Sequence, residues 1–491
     1  MPDQSGARGA QGKADGNLAL ACAGARQHQI GEIGTGDSRT SPESPRSNQS
    51  EVELSSRKLE KPFAAGHDPI SDADVLYVVS HQRDLNFPPN TRYLYSNTGY
   101  MLLAQIVAHV GGQSFRTFTT ERIFAPLGMK NSHFPDDFDQ VVKNMAFGYL
   151  PSGDTYSMGL TNFDTVGATS LLTTVEDLAL WDENFYNPRV GGPTLIQQLQ
   201  ERGRLNDGEQ INYAAGLVLG KYRGLNTVDH NGADAGYVSD MIRFPDQHFT
   251  AACFCNLGSA DPSDLARNVA DIYLASDMGP AKPSDMGGSN SVTLTPAQMQ
   301  ANLGVYVNIK DPDDLVRWVI KDGKLNVGNV GEEQTYDVKP ISESQFDVID
   351  PPATITFLGT RSGTPLRFRI TEDGKIDTYS EVPTFAPSAS ELAEYAGTYS
   401  SPEIDPLYEL KVEDIHVAGT PSNQDRIGLV LSRLKNGPDP LQPVTKDFFT
   451  AGVGKIRFMR DSKGVISGFL LSTGRDLDLR FERGRPAIPT R

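Results

Sequence analysis

Positive charge is in short supply in this chain of 491 residues: 45 lysines and arginines stand against 62 aspartates and glutamates, a formal net charge of −17. That balance excludes the basic footprint a nucleic-acid partner needs. It mainly favours solubility and selects no particular substrate. Cysteine is nearly absent, with only Cys22, Cys253 and Cys255. Without paired Cys/His sets at ligand spacing no zinc pattern can be built, and no HExxH motif occurs. Cys253 and Cys255 stand two apart in the apolar run AACFCNL. That is a strand pattern, which sends both thiols to one face as small core residues. Long apolar runs are missing as well, and no stretch nears the roughly 18 residues of a membrane-spanning helix. Residues 18–25 (LALACAGA) are the one candidate secretion signal, but the run is short, starts inside the chain and lacks a basic leader.

The composition changes along the chain. Residues 1–66 include GTGDSRTSPESPRSNQSEVELSS, which is polar and without helical or strand period. Such a segment cannot bury enough apolar surface to offset its ordering entropy, so irregular structure is expected. From residue 67 to 278 the chain reads as a globular domain. DADVLYVVSHQRDL follows a Ser/Asp start, as a capped helix does. GYMLLAQIVAHVGG is a second helix stopped by two glycines. SFRTFTTERIFAPLGM reads as a third, and SLLTTVEDLALWDENFY, with Thr-x-x-Asp as a capping signal, as a fourth. Residues 211–258 turn to strands separated by Gly/Asn/Asp clusters, and PSDLARNVADIYLAS closes the region as a helix. Helices with an antiparallel sheet make an α+β domain.

A Gly/Pro/Ser-rich linker at 279–293 leads to a strand-rich remainder in two units, 294–385 and 386–491. Each opens with a short helical stretch and a Gly-x-Tyr strand, LTPAQMQANLGVYVN and SASELAEYAGTYSS. Both units resemble small antiparallel β-barrel, lipocalin-like modules, with a single β-sandwich as the alternative.

Tyr95-Ser96-Asn97, inside RYLYSNTGY, stands directly before a long helix, with ERIFAPLGMKNSHF downstream and His230-Asn231-Gly232 in TVDHNGADAGYVSD. In these motifs residues 77–276 resemble the penicillin-recognising serine hydrolases: class C β-lactamases, D-alanyl-D-alanine peptidases and esterases of the same fold. The N-terminal part is atypical of them. The resemblance implies a β-lactamase/transpeptidase-like α+β domain followed by lipocalin-like modules. It implies an acyl-enzyme reaction on an ester, amide or β-lactam in a small molecule or peptide, with no cofactor. By the same resemblance the compartment is periplasmic or secreted; without a clear signal, a cytoplasmic location stays open.

The resemblance also assigns roles. Tyr95 is the general base, its phenol brought down from a pKa near 10 by nearby cations. Asn97 is an orienting amide. His230, with Asn231 and Gly232, forms the opposite wall in place of the family's Lys-Thr-Gly, and its backbone contributes to an oxyanion hole. Tyr100, Phe163 and Leu172 are candidates for the pocket lining. The nucleophile should be a Ser-x-x-Lys opening an apolar helix. Upstream of Tyr95 only Ser55-Ser56-Arg57-Lys58 fits, 40 positions earlier, and Pro62 follows it at once. Two readings therefore stand side by side: a serine hydrolase using Ser55 and Lys58, and a catalytically silent relative that binds acyl or peptide ligands.

Overall fold

The computed structural model describes residues 70–279 and 292–484, apart from short stretches within them, and the backbone of residues 28–30 and 32–34. Ser55 and Lys58, the 18–25 segment and most of the 279–293 linker lie outside the described residues. The chain divides into two compact units, one containing residues 90–281 and the other containing 36–89 with 282–491. Among the described residues no helix is long and apolar enough to cross a membrane.

The first unit is built on an antiparallel sheet. Strand β1 (His28–Ile30) pairs with β5 (Leu171–Thr173), and β2 (Glu32–Gly34) pairs along Asn231–Ala233 of β7 (Leu225–Asp234). A separate hairpin joins β3 (Gly148–Ser152) to β4 (Thr155–Gly159). The main sheet runs β2-β7-β8-β9, with β8 at Tyr237–Phe244 and β9 at Phe249–Cys255; β6 (Val218–Tyr222) also pairs with β7. β8 and β9 are buried almost throughout, which matches their continuous apolar sequence. Ile242 and Phe244 are fully enclosed, each contributing about 1.5–3 kcal/mol by burial. Cys253 and Cys255 lie in this core on one face, sulfurs 3.9 Å apart, as the two-residue spacing requires, but only Cys255 is the free thiol expected; Cys253 is disulfide-bonded.

The helices begin and end where the caps indicated. Helix α1 (Asp72–His81) starts with a reciprocal Ser71–Asp74 capping box. It groups with the second unit, where Asn86 donates to the carbonyl of Arg475 and accepts from the amide of Leu477. Helix α2 (Asn97–Gly111) stops at Gly112, whose φ of 64° a side chain would resist. The run after Ser114 is not one helix. It passes from α3 (Phe115–Thr119) through a π-helical turn, Thr120–Phe124, to a last turn at Ala125–Leu127. Helix α4 (Val175–Tyr186) is capped by Thr174 accepting from the Asp177 amide. The preceding Leu171–Thr173, expected as helix, is strand β5. A short helix α5 (Gly192–Gln198) follows, and α6 (Pro262–Tyr273) lays its small Ala266 and Ala270 against the sheet.

In the second unit, strands β10 (Gly304–Asn308) to β17 (Lys375–Val382) close into one barrel, and β18 (Gly397–Ser400) to β25 (Leu479–Arg483) into another. Short helices α7 (Pro296–Asn302) and α8 (Ala389–Ala393) precede them. Two separate closures rule out the single-sandwich alternative. The expected Gly-x-Tyr repeat has the same geometry in each barrel. Gly304 and Gly397 take φ of 151° and 153°. The hydroxyls of Tyr306 and Tyr399 donate to the carbonyls of Asn302 and Tyr395, each four residues back. Eight strands leave an interior just wide enough for side chains, and rings fill it. Trp318 stands 5.0 Å from Phe357 in the first barrel, and Phe469 4.5 Å from Phe481 in the second.

Candidate active site

Three local features bring the site residues of the first unit together. Ser96 is extended and caps α2, its hydroxyl accepting from the Gly99 amide at 3.1 Å. The cap is therefore Ser96 and not Asn97, which is the first helical residue and is completely buried. Tyr95, one step earlier, is 9% exposed. Second, alternation along β7 sends His230, Gly232 and Asp234 to one face, and Asp229 and Asn231 to the other. Third, a turn through Ala214–Leu217, with Gly216 at φ 75°, holds Tyr213 ahead of β6.

The rings converge. Tyr95 and His230, from α2's approach and from β7, lie 6.4 Å apart between centroids. Tyr213 stands 6.2 Å from Tyr95, edge-on, and 6.0 Å from His230, with Tyr93 5.4 Å away on its other side. The Tyr213 hydroxyl is 3.4 Å from His230 Nε2 and is hydrogen-bonded to Tyr100. His230 Nδ1 lies 2.7 Å from the Asn231 carbonyl, so Asn231 joins the group through its backbone. Burial lowers the pKa of His230 to about 4, against the opposing effect of that carbonyl, so the ring is neutral at pH 7. Burial, reinforced by the neighbouring phenols of Tyr100, Tyr95 and Tyr93, raises the Tyr213 phenol well above its ordinary value.

The loop before β5 holds these parts in register. A Cβ on Gly167 would lie 2.6 Å from the Tyr100 carbonyl and 2.7 Å from the Ala104 methyl, so only glycine allows the loop this close to α2. Thr169 donates to the buried Asp234 at 2.7 Å, tying the same loop to the end of β7. Burial raises Asp234 to about 6, with Thr169 pulling the other way. Of the other candidate lining residues, Tyr100 belongs to the ring group, Phe163 is half-buried at the head of the loop, and Leu172 is a core residue of β5.

Sequence reasoning missed Tyr213, Thr169 and Asp234. Tyr213 sits in a stretch that reads as strand, and nothing nearby marks it as different from a packing tyrosine. Thr169 and Asp234 are 65 positions apart, and no periodicity links them. The reverse face of β7 carries a second buried cluster. Arg267 of α6 reaches Asp229 at 3.0 Å and Asp240 at 3.1 Å. One guanidinium serves two carboxylates. Burial, then the charge of Asp240, raises Asp229 to about 7 despite the arginine. Among the described residues no group of His, Cys, Asp and Glu could hold a metal ion.

Residues 57–275 match the family model described as Beta-lactamase. The match takes in Lys58 and begins two residues after Ser55. Penicillin-binding protein 4* of Bacillus subtilis (strain 168) is 31% identical over 189 residues, 35% of this chain and 41% of its own length. The D-aminopeptidase of Brucella ovis is 25% identical over 201 residues, 40% of this chain and 38% of its own length. The chain thus spans about two fifths of the curated relatives it matches. Among solved structures, a penicillin-binding protein homologue from Pyrococcus abyssi aligns with a TM-score of 0.38 at 19% identity, over 60% of this chain and 66% of the other. D-amino acid amidase from Ochrobactrum anthropi SV3 aligns at 0.37 and 20%, over 52% and 86%.

Proposed function

Taking residues 57–275 as a domain of the beta-lactamase family, we propose that it is a serine hydrolase that cleaves an ester, amide or β-lactam through an acyl-enzyme. The observation that carries the reading is the apposition of Tyr95, at the start of α2, with His230 on β7. It places a phenol and an imidazole acceptor on one face of a strand whose glycine, Gly232, sits between two inward positions. Tyr95 is the base, Asn97 the orienting amide beneath it, and His230 with Asn231 and Gly232 the opposing wall. Ser55 is the nucleophile and Lys58 its partner.

In the reaction the Ser55 Oγ adds to the substrate carbonyl while its proton passes to the Tyr95 phenolate, which the Lys58 ammonium stabilises. The tetrahedral oxyanion then collapses, breaking the bond to the leaving group, which takes that proton. Water repeats the sequence on the acyl-enzyme and releases the acid. Tyr95 needs a cation to act as a base at neutral pH. His230, neutral by burial, does not supply one, so the role falls to Lys58.

A second reading is favoured by the same neutrality of His230, together with Pro62 and the polar sequence around Ser55: a silent relative that keeps the ring-lined site for acyl or peptide ligands. Labelling the full chain with a fluorophosphonate and mapping the adduct separates the two. The hydrolase reading expects an adduct on Ser55, slowed by about 10²–10⁴ in Tyr95→Phe. A folded protein that forms no adduct sinks it and leaves the binding reading.

A further inference from the structure

Tyr213 has no place in the scheme above, yet its hydroxyl touches the side of His230 that faces away from the backbone. The directions of the hydrogen bonds follow from what each atom can do. The Asn231 carbonyl can only accept, so at 2.7 Å the proton between it and the ring sits on Nδ1. A neutral imidazole carries one N–H, which leaves Nε2 with a bare lone pair. The group against Nε2 is the Tyr213 hydroxyl, 3.4 Å away, a long contact of the kind that tightens when a site is occupied. A hydroxyl has a single proton to give. The hydrogen bond to Tyr100 raises the Tyr213 phenol, so Tyr100 is a second, competing acceptor for that proton.

We propose that Tyr213 is a positioning residue: its hydroxyl donates to His230 Nε2 and fixes the ring as the Nδ1-protonated tautomer beside Tyr95. This rests on the proposed reading of the site for its role, though not for its geometry. The polar chain is Tyr100 to Tyr213 to His230 to the Asn231 carbonyl, and it runs from α2 to β7 through the turn before β6. Each end is anchored. Tyr100 lies on the helix whose backbone Gly167 approaches, and Asn231 lies in the strand ladder opposite Asp240. The edge-on packing of Tyr213 on both Tyr95 and His230 sets the spacing between base and wall. Loss of the Tyr213 hydroxyl would leave the ring held only through Nδ1 and the Asn231 carbonyl.

The test is nitrogen NMR on the full chain labelled with 15N-histidine. The chain has eight histidines, and His230→Gln assigns the one in question. At pH 7 the native protein should show His230 as the neutral Nδ1–H tautomer, with Nε2 at the position of a hydrogen-bonded acceptor. Tyr213→Phe keeps the ring and removes the hydroxyl; its Nε2 signal should move to the unbonded position while the other seven histidines stay in place. Tyr100→Phe removes the competing acceptor and should move the same signal the other way, toward a stronger bond; it carries the test if Tyr213→Phe fails to fold, and an unchanged signal there also overturns the proposal. An Nε2-protonated His230 in the native protein overturns the proposal. So does an unchanged Nε2 signal in a folded Tyr213→Phe. These outcomes need no catalysis, so absence of a fluorophosphonate adduct sinks the hydrolase reading without touching this one. If the adduct does form, Tyr213→Phe should slow labelling about fivefold to tenfold, the value of one hydrogen bond.

Discussion

The two barrels and the sheet of the first unit deal with exposed edges and faces in opposite ways. Each barrel pairs its first strand with its last, β10 with β17 and β18 with β25, so no strand is left at an edge. Their interiors are packed with rings from Trp318 to Phe481. The first unit keeps an open sheet, gives one face of β7 to the site and loads the other with Asp229, Asp240 and Arg267. Its helix α2 turns Leu103, Ile106 and Val110 outward, at 53, 56 and 80% exposure and at helical spacing. The difference teaches where chemistry can reside. A barrel filled by its own side chains has no room for a ligand inside, whatever its likeness to lipocalins. The open sheet is less economical as a core, and it is the part where Tyr95, Tyr213 and His230 come together.

The comparison can be tested by perturbing each region in turn. The largest expected effect is in a barrel interior. Phe469→Ala removes a fully buried ring that contacts Tyr399, Phe458 and Phe481. It should destabilise the protein by about 3–5 kcal/mol, read as an earlier transition in calorimetry. A loss under about 1 kcal/mol would mean that the barrel holds a cavity able to collapse, and the contrast with the open sheet would fail.

The next effect concerns pH. The Asp229 carboxyl titrates near 7 in the native protein, mainly through burial, and near its ordinary 3.8 when unfolded. Between about pH 4 and 7 the native state therefore holds a proton that the unfolded state has lost, and stability falls as pH rises through that window. Asp229→Asn should flatten the fall, measured as urea midpoints at pH 4.5 and 7.5. An identical slope in the variant would show that the arginine already neutralises this carboxylate. The smallest effect belongs to the outward face of α2. Ile106→Ser should change stability by no more than about 0.5 kcal/mol. A loss several times larger would mean that some other segment covers that stripe.

Much of this architecture could be read from residues with local signatures. Ser71 with Asp74, Gly112, and Thr174 with Asp177 mark helix ends through bonds within four residues, so the sequence carries them directly. The Gly-x-Tyr repeat announced two barrels for the same reason. Tyr95 and His230 were found by resemblance, and the fold brings them together across 135 positions. What could not be read depends on contacts between distant segments. Strand β5 forms because Leu171–Thr173 has a partner in β1, although the same residues suit a helix cap region. The β3–β4 hairpin is mostly exposed and lacks apolar alternation; Gly148 and Gly159 seat it on the backbone at Ala235. Tyr213 acquires its part only from Tyr93, Tyr95, Tyr100 and His230, four neighbours distant in sequence.

The tyrosine that opens each barrel also bears on how the chain folds. The bond from Tyr306 to the Asn302 carbonyl, and its counterpart from Tyr399 to Tyr395, span four residues and can form within one turn of chain. Pairing β10 with β17 must instead bring together residues such as Val305 and Val382 across the whole module. Entry into each barrel is thus quick and closure slow, because loop entropy is lost before the distant contacts are gained. In a chain emerging from the ribosome, the first barrel has its full set of strands before the second begins. The two like modules are thereby separated in time, and the first and last strands of one are kept from pairing with those of the other.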